Sequence, residues 1–456
     1  MLPDQVPAWD QLGLSTCYQL TLQLQEDASS YTGHAKVTFQ NRTGVPLSEL
    51  VFRLYPNSGQ IYGGALDVAS TAVDGTPVQA EVFLSDKTGL RVPLPASLSP
   101  DSVVNVDMDF RGQYPIDFGD SSSTYGVFNY TSADKVLALA NWYPILAQWD
   151  GGEWQAAPVI GIGDAVVSQT ALYLVAVDAP EAWQIVTTGS QIEQSAGNGR
   201  IKQVFSSGPA RDFTVLASPN FSQRKAQVDG ITVQHWGLPD GEPRWDEAIQ
   251  AAVDSVSIYD ERFGQYPYQE LDVVAIPLKL ASGVEYPGLF LMGKQVYQPD
   301  SRQPFLLGLV VAHEAAHQWW YGVVGNDVLE DPWQDEALAT FSSLLYQQVY
   351  QPANYQGTID YYQSRITNLP PGAEVDAPVA SFQDRPSLYS PVVYLKGALF
   401  FVAVRSRIGD QAFYDALHAY YSDYRYELAS PADLLGEFER SCGCSLDDLY
   451  RKWGVE

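Results

Sequence analysis

Two histidines one helical turn apart, in His313-Glu314-Ala315-Ala316-His317, directly follow an almost wholly apolar run from Pro304 to Ala312. Side chains four residues apart share one face of a helix, so both imidazoles can reach a single ion. The apolar run predicts that this helix is buried, and two imidazoles and a carboxylate are costly to bury without a metal or hydrogen-bond partners. The fold must therefore bring another element against it. After an eighteen-residue spacer, Glu336 stands in Asp335-Glu336-Ala337-Leu338-Ala339-Thr340, which reads as the start of a second helix. Two His and one carboxylate leave the fourth tetrahedral position open, as in a catalytic rather than a structural zinc site. Glu314, between the ligands, is placed to act as general base toward a bound water. The bland alternative is a solvated histidine pair; the apolar flank argues against it, and so does the chain's total of five His.

These residues, with Gln318-Trp319-Trp320 following His317, resemble the zinc signature of the membrane-alanyl-aminopeptidase and leukotriene-hydrolase type of zinc aminopeptidase, peptidase family M1. Two further segments carry the likeness. Ser282-Gly283-Val284-Glu285-Tyr286-Pro287-Gly288-Leu289 resembles that family's Gly-x-Met-Glu-Asn exopeptidase motif, with Val284 in place of Met and Tyr286 in place of Asn. Val393-Tyr394-Leu395-Lys396-Gly397-Ala398 resembles its Tyr-x-Lys-Gly segment. The resemblance implies one zinc per chain held by His313, His317 and Glu336, with Glu314 as base and Tyr394 as a hydrogen-bond donor to the oxyanion. It further implies that Glu285 binds a substrate's α-ammonium, while Gly283 and Val284 offer main-chain hydrogen bonds. Tyr389 and Asn141 are lesser candidates for the oxyanion and amine sites. Asp331 and Asp335 are candidates to orient the ligand imidazoles.

Alternating runs such as Tyr18–Gln25, Val104–Phe110 and Ala171–Val177 mark the first half as β-rich. Helical spacing begins near residue 245, and helices dominate from 304 onward. We therefore expect an α+β chain of two domains. Residues 1–225 would form a saddle-like β domain and residues 226–456 a thermolysin-like, mainly helical catalytic domain, with no C-terminal helical cap domain.

With 26 basic against 54 acidic residues, a net charge of −28, nucleic acid is excluded as a partner by like-charge repulsion. No apolar run is long enough to predict a transmembrane segment. The start, Met1-Leu2-Pro3-Asp4-Gln5, lacks a signal-peptide pattern. Abundant Trp and Tyr with few Lys favour an extracytoplasmic or cell-envelope setting. Cys442-Gly443-Cys444 is expected to carry two ordinary thiols, being too tight for easy pairing. The expected activity is a zinc aminopeptidase acting on peptides with a free N-terminus. An endopeptidase, a di- or tripeptide-releasing enzyme, and a catalytically silent peptide-binding protein are the rivals.

Overall fold

A computed structural model describes residues 13–25, 30–119, 123–239, 244–298 and 305–455; Met1–Gln5 and Pro304 lie outside them. The first half is β throughout. Its largest sheet has eight strands, with Thr16–Leu24 at the centre, antiparallel to Ser30–Gln40 and parallel to Ala171–Pro180. Strict alternation explains the packing: Leu20, Leu22 and Leu24 turn inward while Thr21 and Gln23 face solvent. Two four-stranded sheets contribute side chains to the same core.

The second half opens with a five-stranded sheet in the order Ser222–Val228, Ile231–Gly237, Glu270–Ile276, Leu289–Gly293, Gly283–Tyr286. The expected division after residue 225 falls inside its first strand, which is paired along its length with Ile231–Gly237. Both faces of this sheet are covered. Val274, Ile276, Leu289 and Leu291 join the core of the β-rich half, whereas Val273, Ala275, Phe290 and Met292 join the helical core. A strand buried on both faces reads as a continuous apolar run, as Val273–Ile276 does.

Among the described residues, eight α-helices follow or flank the sheet: α1 (Trp245–Phe263), α2 (Leu306–Ala316), α3 (Trp333–Tyr350), α4 (Pro352–Ile366), α5 (Gly397–Ile408), α6 (Asp410–Asp423), α7 (Pro431–Cys442) and α8 (Asp447–Trp453). The halves are tied by Arg211, which is 1% exposed. Its guanidinium donates to the main-chain carbonyls of Ser168, Tyr321, Val323 and Glu427, so a charge that is costly to bury meets only oxygen acceptors. The stretch Pro386–Ile408 is long and apolar enough to cross a membrane by length and composition. Here it packs into the helical core through Phe400, Phe401 and Val404.

One expectation is corrected. Cys442 and Cys444 form a disulfide. Helix α7 ends at Cys442, and Gly443 takes the left-handed conformation (φ 61°), which folds the chain back and brings the two Cα atoms to 5.3 Å. The sequence separation suggested a strained loop, and the helix cap removes that obstacle.

Candidate active site

Helix α2 ends at Ala316, and His317 continues in helical conformation as its C-cap. Glu336 lies in the first turn of α3. The negative end of one helix and a carboxylate at the start of another thus converge on one point, an arrangement that favours a cation. His313 Nε2 lies 3.1 Å from Glu336 Oε2 and 3.2 Å from His317 Nε2, and His317 Nε2 lies 3.4 Å from the same carboxylate oxygen. Each imidazole is oriented through its other nitrogen. His317 Nδ1 donates to the Trp320 carbonyl (3.1 Å). Thr340 donates its hydroxyl to the Glu336 carbonyl (2.8 Å), leaving its oxygen to face His313 Nδ1 at 3.4 Å. Both Nε2 atoms are then lone-pair donors. Asp331 and Asp335 do not fill this role: Asp335 accepts from Asn326, and Asp331 contributes its main-chain carbonyl to the same amide. Their separation from the rings could not be read from sequence.

These atoms fit zinc. Ligands about 2.0–2.1 Å from a tetrahedral ion stand roughly 3.3 Å apart, and the three separations bracket that value. Without a cation, two nitrogen lone pairs and a carboxylate oxygen would face one another at close range. When no metal is bound, burial raises the Glu336 carboxyl but the two imidazoles outweigh it, leaving its pKa below the usual range. Burial likewise disfavours charge on His317, yet Glu285 and Glu336 carry its pKa well above the ordinary value.

Strand alternation places the next residues. In the edge strand Gly283–Tyr286, Glu285 pairs with Phe290 and Val284 with Leu291. Gly283 and Glu285 therefore face the helices, while Val284 and Tyr286 face the β-rich core. Of the two departures from the resembled motif, Tyr286 thus turns away from the cleft, whereas Val284 stays among its lining residues. A Cβ at Gly283 would overlap the Glu314 carboxylate, so this glycine is what lets strand and α2 approach so closely. Glu285, Glu314 and His317 present ligand atoms within 4.8 Å of one another. Tyr394 belongs to an i→i+5 helical turn, Ser390–Lys396, that runs into α5. Its ring stacks on His313 at 5.7 Å and its hydroxyl donates to Glu336 Oε1. Tyr389 packs edge-on against Tyr394 at the cleft wall.

Residues 247–453 match the peptidase family M1 domain. The chain carries an M1 peptidase domain. The chain is 25% identical over 219 residues to Probable aminopeptidase 2 of Sulfurisphaera tokodaii, a match covering 45% of this chain and 28% of that protein. It is 26% identical over 236 residues to human endoplasmic reticulum aminopeptidase 1, covering 48% of this chain and 24% of that one. The match thus spans only about a quarter of the length of these curated relatives. The whole fold is similar to a crystallised M1 zinc metallopeptidase from Deinococcus radiodurans (TM-score 0.73, 19% identity, 97% of this chain and 94% of that one). A mutant of that enzyme has been crystallised with a Tyr-Ser-Ala substrate (TM-score 0.70, 20% identity, 97% and 95% covered). These likenesses show a two-domain M1 metallopeptidase fold with a β-rich first half and a helical second half.

Outside the matched M1 domain, the β-rich half supplies one residue that motif reading missed. Asp164 lies with Glu285 and Asp335 in a group whose oxygens fall within 4.8 Å of one another. It arrives on an irregular segment in which Gly163 adopts φ 64°, and a Cβ there would collide with the Tyr389 hydroxyl. No periodicity marks such a segment; Gly161-Ile162-Gly163 before an acid was the only signal. Burial pushes the carboxyls of Asp164 and Glu285 well above the usual range, with Glu336 adding to the first and Asp164 to the second. Burial and Glu336 lift Asp335 to about 8. The cluster is short of positive charge and suits a cationic group. Asn141, the earlier candidate, instead accepts a hydrogen bond from the Tyr62 hydroxyl at 2.7 Å in a neighbouring cavity. The cleft lined by Asp164, Glu285, His313, Glu314, Glu336 and Tyr394 measures about 460 Å³.

Proposed function

We propose that the protein is a zinc-dependent aminopeptidase that releases N-terminal residues from peptides. In this reading the first half is a saddle-like platform and the second a thermolysin-like catalytic domain. The observation that carries it is the pairing of Asp164 and Glu285 beside the three metal ligands. A free α-ammonium makes charge-assisted bonds to both carboxylates, and an internal peptide segment has no group to offer them. The edge strand at Gly283 and Val284 has one unpaired side, suited to an extended substrate main chain.

Zinc, when bound by His313, His317 and Glu336, supplies Lewis acidity toward the scissile carbonyl and lowers the pKa of water. Glu314, packed against Gly283, takes the proton of the attacking water and returns it to the leaving amine. Burial, reinforced by Glu285, raises the Glu314 carboxyl well above the usual range, which suits a group that must hold a proton between the two steps. Tyr394 donates to Glu336 in the resting arrangement and is positioned to turn its hydroxyl to the developing oxyanion. The Cys442–Cys444 disulfide supports an oxidising, extracytoplasmic setting.

The test compares peptides with free and acetylated N-termini. The aminopeptidase loses activity on acetylation; undiminished cleavage of the acetylated peptides would instead identify an endopeptidase. Absence of turnover on either, with zinc bound, would leave a peptide-binding protein.

A further inference from the structure

Helix α2 is apolar on two faces for two different reasons. Leu307, Val311 and Ala312 are buried in the helical core, but Leu306, Leu309 and Val310 are only partly buried and line the cleft. Residues 306, 309, 310 and 313 recur at the i, i+3, i+4, i+7 spacing of a single helical face. The stripe therefore leads away from His313 toward the start of the helix, over roughly 10 Å at 1.5 Å per residue.

The polarity of the cleft follows from its ends. Glu285 is grouped with His317 and Glu314, and Asp164 with Glu285, so the amine end lies on the His317 side. Thr340 faces His313, on the opposite side of the metal ligands. With it the lining includes Leu306, Leu309, Val310, Ser343, Tyr362 and Leu395. The three hydroxyls at this end, of Thr340, Ser343 and Tyr362, already have partners. Thr340 donates to the Glu336 carbonyl, and Ser343 donates to the Thr340 carbonyl at 2.7 Å. Among the described residues, every charged group lining the cleft belongs to the amine end or the metal ligands and their base.

We infer that this end of the cleft receives the side chain of the residue just after the scissile bond, and selects an apolar one. The inference rests on the aminopeptidase reading, since the free amine sets which way the substrate runs. With the amine held at Asp164 and Glu285 and the carbonyl at the metal ligands, the leaving residue lies over the Leu309–Val310 stripe. A branched or aromatic side chain there replaces water on carbon surface. A charged one loses its hydration and meets no partner.

A panel of alanyl-X-amides tests this, because the first residue and the uncharged C-terminus stay constant. Leucyl, valyl and phenylalanyl members should exceed the glycyl member in kcat/KM by about tenfold to a hundredfold, and aspartyl and lysyl members should fall below it. Leu309→Ala should shrink the leucyl-to-glycyl ratio several-fold. Binding to the Glu314→Gln protein, followed by calorimetry, should show the same order without turnover. A flat panel, or a preference for a charged second residue, overturns the inference while free-amine cleavage leaves the aminopeptidase reading standing. Cleavage of N-acetylated twins as fast as the free amides overturns both.

Discussion

Gly283→Ala tests the closest approach in the active site with one methyl group. Gly283 is not among the residues with positive φ, so alanine meets no backbone strain and the strand itself should form at least as well. The added Cβ would overlap the Glu314 carboxylate. Carbon atoms settle about 3.5 Å apart, so the carboxylate must withdraw by about 1 Å. A misplacement of about that size in a reacting group can cost roughly a hundredfold in rate, or about 2.7 kcal/mol of transition-state stabilisation. The metal ligands sit on other residues and should keep their ion. We expect kcat/KM on an amino-acid anilide to fall about a hundredfold, with zinc content by metal analysis and melting temperature unchanged. A variant with full zinc and activity within twofold of the original would refute the view that Gly283 sets the position of the base.

Glu336→Ala leaves two imidazoles to hold the ion and should lower zinc occupancy sharply, whereas Glu314→Gln should retain zinc and lose turnover; metal analysis beside an anilide assay separates the two roles. Tyr394→Phe keeps the ring stacked on His313 but removes the donor, so kcat should drop by an amount equivalent to roughly 2.7–4 kcal/mol with zinc content intact. An unchanged kcat would show that the hydroxyl serves only Glu336. Replacing Asp164 or Glu285 by the amide should cost about 1.5–3 kcal/mol in kcat/KM for free-amine peptides and little for acetylated ones. Away from the site, burial raises Asp212 to about 7 despite the neighbouring Arg211. A carboxyl with a raised folded pKa destabilises the fold progressively as pH rises from about 4 toward 7. Asp212→Asn should therefore gain melting temperature relative to the original protein across that window, and a difference independent of pH would contradict it.

The metal ligands and the base were legible because helical spacing is local. Four residues fix the relative direction of His313 and His317, and an apolar flank reports burial without any knowledge of the partner. The helix at 245–263 and the strands around residues 18–25 and 171–177 were legible for the same reason: side-chain period follows from backbone geometry alone. Glu285 was identified by its motif, but its direction came from pairing with Phe290 across the sheet, which also turned Tyr286 into the β-rich core. The apolar run before His313 was read as burial alone; only the packing shows that Leu306, Leu309 and Val310 line the cleft. Asp164 was invisible in sequence because an irregular segment has no period, and its role depends on a glycine passing beside Tyr389 on a chain segment more than 200 residues away. The partners of the imidazoles, a carbonyl at Trp320 and a hydroxyl at Thr340, escaped notice because any main-chain carbonyl can accept a hydrogen bond. The disulfide was misjudged because spacing does not reveal that Gly443 caps a helix in the left-handed conformation. Sequence determined which residues could bind and activate; tertiary packing decided which groups orient them and from which direction a substrate is held.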